Sequence, residues 1–253
     1  MKKLLTVLFV GLLCTAHLRA FDETNVSYSA KTGIMSEYLG SIGSIFYKSP
    51  VSVNEIDFGY SDWYGGIWNS TGLGGTKYGQ TYGDEFDFYG GWAHTFDWIK
   101  IDLSSTYYAI ARLDTTSDDL WVIEPEISLP KFPFVQPYIR GRYFGQVGSE
   151  SPKPGFFWFG GLRKDITFGK GLADRAYSLD LQASTAYAAG ALHSSTGFVY
   201  GRLTVSLDAP LSKHWTLSPT VICQAAAPGQ RSDPNGFTDG NKFVYGVSLE
   251  CKW

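Results

Sequence analysis

The stretch Lys242-Phe-Val-Tyr-Gly-Val-Ser-Leu-Glu-Cys-Lys-Trp253 alternates almost without error. Phe243, Tyr245, Val247, Leu249, Cys251 and Trp253 fall on one face, and Lys242, Val244, Gly246, Ser248, Glu250 and Lys252 on the other. Side chains of a strand change face at every residue, so this is a strand with one apolar and one polar side. The sequence stops on Trp253. A terminal strand leaves an open edge unless both its sides are paired, and closing a barrel pairs both. Taken alone, the stretch leaves open whether the apolar side meets a dry interior or lipid.

Working outward from it, the same pattern recurs. Glycine-, proline- and serine-rich breaks divide the preceding residues so that twelve strands are expected, at 26–36, 51–60, 62–70, 84–96, 99–110, 119–129, 134–146, 155–168, 176–187, 196–209, 214–225 and 242–253. A strand tilted about 45° crosses a bilayer in roughly nine to eleven residues, whereas soluble strands mostly run about five or six. The lengths here fit the first class. Connections alternate between long and short, with 38–50, 71–83, 111–118, 147–154, 188–195 and 226–241 long. An even strand number with short turns on one side and longer loops on the other is the outer-membrane pattern.

The two faces differ in charge. Residues 119–129 set Trp121, Ile123, Ile127 and Leu129 against Glu124, Glu126 and Ser128. Residues 134–146 set Val135, Ile139 and Tyr143 against Gln136, Arg140 and Arg142. Tyr177, Leu179, Leu181 and Tyr187 oppose Asp180, Gln182 and Ser184, and Val199, Leu203, Val205 and Leu207 oppose Arg202, Thr204, Ser206 and Asp208. Residues 155–168 depart from the rule, because Phe157 and Phe159 share a face with Arg163 and Asp165.

About eight strands already give an interior that side chains fill or that holds one ligand, so twelve enclose too much space for the apolar set. Trp121, Tyr177, Tyr187, Trp215, Tyr245 and Trp253 lie near strand ends, where rings suit the water–lipid boundary. The expected fold class is therefore all-β: a twelve-stranded antiparallel transmembrane β-barrel, residues 21–253, with its apolar face in lipid and its charged face in the lumen.

Residues 1–20 read as a secretory signal peptide: Lys2 and Lys3, an apolar run from Leu4 to Ala16, and small residues leading to a cut after Ala20 or Ala16. Cys14 invites a lipoprotein reading, but Leu13 stands before it where a small residue is wanted. Removal of the signal takes Lys2, Lys3 and Arg19, leaving 18 basic residues against 24 acidic ones and a net charge of −6. That excludes a basic footprint for nucleic acid. No later segment reaches eighteen apolar residues, the length a membrane-spanning helix requires. Cys223 and Cys251 both lie on apolar faces. An oxidising compartment permits a disulfide between them, but a hairpin turning near Asp233 sets them out of register, so two unpaired thiols are expected.

Several pieces of the first half share an aromatic followed by glycines: Gly33-Ile-Met-Ser-Glu-Tyr38, Trp63-Tyr-Gly-Gly-Ile-Trp-Asn-Ser70, Glu85-Phe-Asp-Phe-Tyr-Gly-Gly-Trp92 and the stretch Ile101 to Ile110, with Phe159-Gly-Gly161 repeating the unit later. Over residues 26–112 the chain resembles the TorF family of porins. The family's Arg-Gly after the first-strand tyrosine is replaced here by Leu39-Gly40-Ser41. The resemblance implies an outer-membrane barrel for passive transport, with no defined substrate. Independently of it, a strand glycine permits a bend or a close neighbour.

The strongest constellation is a cluster of lumen charges. Glu124 and Glu126 lie on the strand paired with that of Arg140 and Arg142; a turn near Lys131–Phe132 sets Glu124 close to opposite Arg140. Arg163 lies diagonally beyond, with Asp180 and Arg202 as further members. The cluster reads either as a constriction that sorts solutes by charge or as a salt-bridged plug that closes the lumen. His193 and Ser195 resemble the pair of an outer-membrane phospholipase, but no third group orients the histidine, so two loop residues are expected. Asp233-Pro-Asn-Gly236 and Asp239 lack the full calcium-loop pattern and read as a turn. His94 and His214 have no partners at metal spacing. The sequence thus points to a porin for small polar solutes rather than an enzyme, with no cofactor and no metal. Its expected partners are outer-membrane lipids and, through the C-terminal strand ending in Trp253, the barrel-assembly machinery.

Overall fold

A computed structural model describes residues 26–74, 84–110, 119–147, 154–172, 174–190, 196–227 and 240–253. The alternating stretches form β1 (Val26–Met35), β2 (Tyr38–Leu39), β3 (Ile45–Tyr47), β4 (Val51–Tyr60), β5 (Trp63–Gly72), β6 (Glu85–Phe96) and β7 (Ile99–Ile110). They continue as β8 (Leu120–Ser128), β9 (Gln136–Gln146), β10 (Gly155–Phe168), β11 (Tyr177–Ala189), β12 (Gly197–Pro210), β13 (Trp215–Ala226) and β14 (Lys242–Lys252). All but β2 and β3 join one closed barrel in the order β1-β4-β5-β6-β7-β8-β9-β10-β11-β12-β13-β14. The seam is the terminal stretch: Leu249 of β14 lies opposite Leu217 of β13 on one side and Thr32 of β1 on the other. Among the described residues closure leaves the barrel wall no unpaired strand edge, which a lipid environment requires.

Alternation decides the faces. On β14, Phe243 is 62% exposed while the adjacent Val244 is 0% exposed. Phe58, Trp63, Trp121, Ile139, Trp158, Leu162 and Leu203 are likewise exposed on the outer wall. Between the exposed Leu162 and Ile166, the outward position belongs to the half-buried Lys164. Asn54 and Asn69 also share the outer parity, and they satisfy each other: Asn54 Nδ2 donates to Asn69 Oδ1 at 3.4 Å, and Thr32 Oγ1 donates to Asn54 Oδ1 at 2.8 Å.

The aromatic–glycine units have a packing cause. A Cβ at Gly91 would lie 2.6 Å from Tyr64, one at Gly66 2.5 Å from Tyr89, and one at Gly161 2.6 Å from Tyr138. Each glycine is the slot in the inner wall over which a neighbouring strand's tyrosine lies flat.

Two expectations need correction. Val199 does not lie on the outer face; it is buried inside, and Phe198 takes the outward place at 61% exposure. The register between β11 and β12 shifts between Ala186 and Tyr187, and such an irregularity resets the alternation. The segment 38–50, expected as loop only, carries β2 and β3, which pair with each other apart from the barrel. Cys223 and Cys251 are not joined to each other: Cys223 lies opposite Phe243, far along β14 from Cys251.

Candidate functional site in the barrel lumen

Strands β8, β9 and β10 place the charged cluster. Glu126 lies opposite Arg140, and Ile123 opposite Tyr143, which sets Glu124 level with Arg142. The expected pairing of Glu124 with Arg140 is thus off by one inward position, because the strands turn further along than Lys131–Phe132, through Phe134 with its φ of 77°. Arg140 still reaches both acids: Nε and Nη2 donate to Glu126 Oε2 at 2.8 and 2.6 Å, and Nη1 lies 3.1 Å from Glu124 Oε1. Arg142 Nε donates to Glu124. Arg163 crosses from β10 with Nη1 and Nη2 at 2.6 and 2.9 Å from Glu126, its guanidinium stacked 3.9 Å over the Tyr138 ring. Gln182 Nε2 fixes that ring through its hydroxyl at 2.7 Å. The three guanidiniums interleave with the two glutamates, and Asp102 of β7 lies opposite Glu126, so both signs of charge meet on this wall.

The other two expected members stand elsewhere. Asp180 faces Asp165 across β10 and β11 and accepts from Ser178 Oγ at 3.1 Å. Arg202 touches neither glutamate. Its Nε and Nη2 donate to Gln224 Oε1 at 3.1 and 2.7 Å, and Nη2 also donates to the Gly40 carbonyl at 2.9 Å.

That last contact reveals what the sequence did not: the β2–β3 hairpin folds into the barrel. The Ser41 carbonyl accepts from Tyr200 Oη at 2.6 Å, and the Gly43 carbonyl from Gln224 Nε2 at 2.7 Å. Ser41 Oγ accepts from Arg142 Nη1. On the opposite flank Tyr38 Oη donates to Glu85 Oε2 at 2.7 Å, and its ring packs 5.6 Å from Trp68. These partners sit on β5, β6, β9, β12 and β13, and β9 lies half-way round the ring from β1, so the hairpin spans the lumen. Ile42 is buried against Leu120, Val122, Phe144, Phe157, Phe159 and Val199, with Phe46 beside them. The inward Phe157 and Phe159, the exception in the sequence pattern, therefore belong to a small dry core built around the hairpin. The only sequence signal for it was that exception.

His94 stacks on Trp92 and bonds Asp62 Oδ2 through Nδ1 at 2.9 Å; His214 Nδ1 contacts the Lys252 carbonyl at 2.7 Å. His193, Ser195, the 233–236 turn, Asp239 and the signal region lie outside the described residues.

No family model and no curated protein matches this sequence. Solved structures do. The chain is similar to the KdgM porin, with a TM-score of 0.53 and 10% identity over 89% of this chain and 98% of that one. It matches the NanC porin with a TM-score of 0.53 and 10% identity, over 88% and 98%. It matches an outer membrane channel from Pseudomonas putida F1 with a TM-score of 0.50 and 8% identity, over 94% and 99%. The chain shares its fold with outer-membrane porins. At such identity the likeness concerns the backbone, and the lumen described above has to be read on its own residues.

Proposed function

We propose that the chain is an outer-membrane channel through which small polar solutes diffuse passively, with Glu124, Glu126, Arg140, Arg142 and Arg163 shaping the field they cross. One observation carries this reading: a closed barrel with exposed apolar side chains outside and a hydrogen-bonded array of ionic ones inside. Asp180 and Arg202 line the same lumen at other places. The porins that share the fold and the TorF resemblance support the same class. The reading also assigns residues 1–20 to a secretory signal, the outer belt to outer-membrane lipid, and the strand ending in Trp253 to recognition by the barrel-assembly machinery. Glu124 and Glu126 are engaged by arginines rather than arranged beside a nucleophile, which favours transport over catalysis.

A second reading, a closed structural barrel, is favoured by the hairpin across the lumen. Planar-bilayer recording separates the two. The purified chain is expected to give discrete conductance steps. A bilayer that stays sealed at every voltage, also after residues 39–46 are replaced by a Gly-Ser linker, rejects the channel.

A further inference from the structure

We infer that Arg202, with Tyr200 and Gln224 beside it, is an oxyanion-binding subsite that the hairpin occupies as a built-in ligand, so that a dissolved carboxylate frees the hairpin by taking its place. The inference rests on the channel reading.

The hairpin is held in a particular way. Gly40, Ser41 and Gly43 present three backbone carbonyls to three side-chain donors of the adjacent strands β12 and β13. In these three bonds the donor is on the wall and the acceptor on the hairpin backbone. Gly43 fits there because it lacks a side chain: a Cβ would lie 2.5 Å from the Tyr200 ring, and its φ of 97° suits glycine. On this flank the wall thus presents a donor array to the hairpin backbone, while the side-chain bonds of Ser41 with Arg142 and of Tyr38 with Glu85 tether the hairpin elsewhere.

Arg202 shows why this ligand is replaceable. Arg140, Arg142 and Arg163 each rest on a glutamate. Among the described residues Arg202 has no carboxylate partner. Its charge meets the Gln224 amide oxygen, the Gly40 carbonyl and the face of Tyr200, 4.5 Å from the ring centroid. Bonds from a guanidinium to an ionised oxygen are stronger than those to a neutral carbonyl, and a carboxylate or phosphate can take two at once. An oxyanion reaching Arg202 therefore outcompetes the peptide carbonyl. The hairpin itself is paired at only two positions, Tyr38 with Tyr47 and Leu39 with Ile45, and an isolated pair of strands is marginal by itself. Burial of Ile42 and the Tyr38–Glu85 bond oppose its release and set the concentration at which a solute opens it.

The test is single-channel recording of the full chain, with sodium succinate as the probe and chloride as the control anion. In the wild type, succinate is expected to raise the ratio of open to closed time. Arg202→Leu should raise that ratio by about tenfold without any probe, the effect of losing one hydrogen bond to a charged group, and should abolish the succinate response. Arg202→Lys, which keeps the charge, should keep the response. An equal succinate response in wild type and Arg202→Leu overturns the subsite. A barrel whose residues 39–46 are replaced by a Gly-Ser linker, and which conducts no better than the wild type, overturns the hairpin as the obstruction. Silence of all these proteins is a different result: it removes the channel reading itself, and this inference with it.

Discussion

Leu203→Arg and Thr204→Arg put the same charge on adjacent residues of β12 and on opposite faces of its wall. The strand has 14 residues, Gly197–Pro210. At about 3.3 Å per residue and a tilt of about 40°, it rises roughly 35 Å, more than the apolar band of about 25 Å. Leu203 is its seventh residue and so sits near the membrane midplane. It is 46% exposed, and its lateral neighbours Ala183 and Cys223 offer an arginine no counter-ion. An arginine on the lipid face at that depth costs about 2–4 kcal/mol, a fall in the folding constant of about thirtyfold to a thousandfold. Thr204 lies at the same depth between Gln182 and Ile222, inside the lumen, where an arginine keeps water and polar company. Its cost should be about 1 kcal/mol or less, the range of substitutions that leave no buried charge unpaired. Reversible urea unfolding from phospholipid vesicles, followed by tryptophan fluorescence, measures both. Equal penalties, or a larger one for Thr204→Arg, would refute the orientation of the wall and everything built on it.

Gly161→Val should destabilise by about 1–3 kcal/mol in the same assay, because its Cβ meets both the Tyr138 ring and the Ala183 carbonyl, whereas Gly160→Ala has open space and should be nearly neutral. Glu126→Gln removes the acid shared by Arg140 and Arg163, so the reversal potential in a salt gradient should move toward anion selectivity; an unchanged potential would take Glu126 out of the permeation path. Denatured protein that has never met a reductant should alkylate at both Cys223 and Cys251, and a blocked pair would contradict the register of β13 and β14.

The fold was legible because strand alternation is a local property. Period two along 242–253 and its counterparts needs no distant partner to be read, and the lengths and loop alternation followed from turn residues. Part of the site was legible for the same reason: Glu124, Glu126, Arg140 and Arg142 lie on consecutive strands joined by one short turn. The error of register between them came from that turn, whose centre depends on the backbone at Phe134. Arg163 could be placed diagonally, since β10 is the next neighbour of β9.

What the sequence by itself determined is the inversion of the wall, an apolar face outward and a charged face inward, since that follows from side-chain chemistry taken two residues at a time; Val199, turned inward beside a register shift, marks where such a reading stops. Only the tertiary structure decided what lies within the ring. Gly40, Ser41 and Gly43 meet Tyr200, Arg202 and Gln224 across more than 150 residues of sequence, as the separation of 162 between Gly40 and Arg202 illustrates. The acceptors there are backbone carbonyls, identical in every residue, so no side-chain pattern could announce them. Closure of the barrel brings those strands within reach of the first loop, and that is why Arg202 reads as one more lumen charge in the sequence and as the anchor of a hairpin in the folded protein.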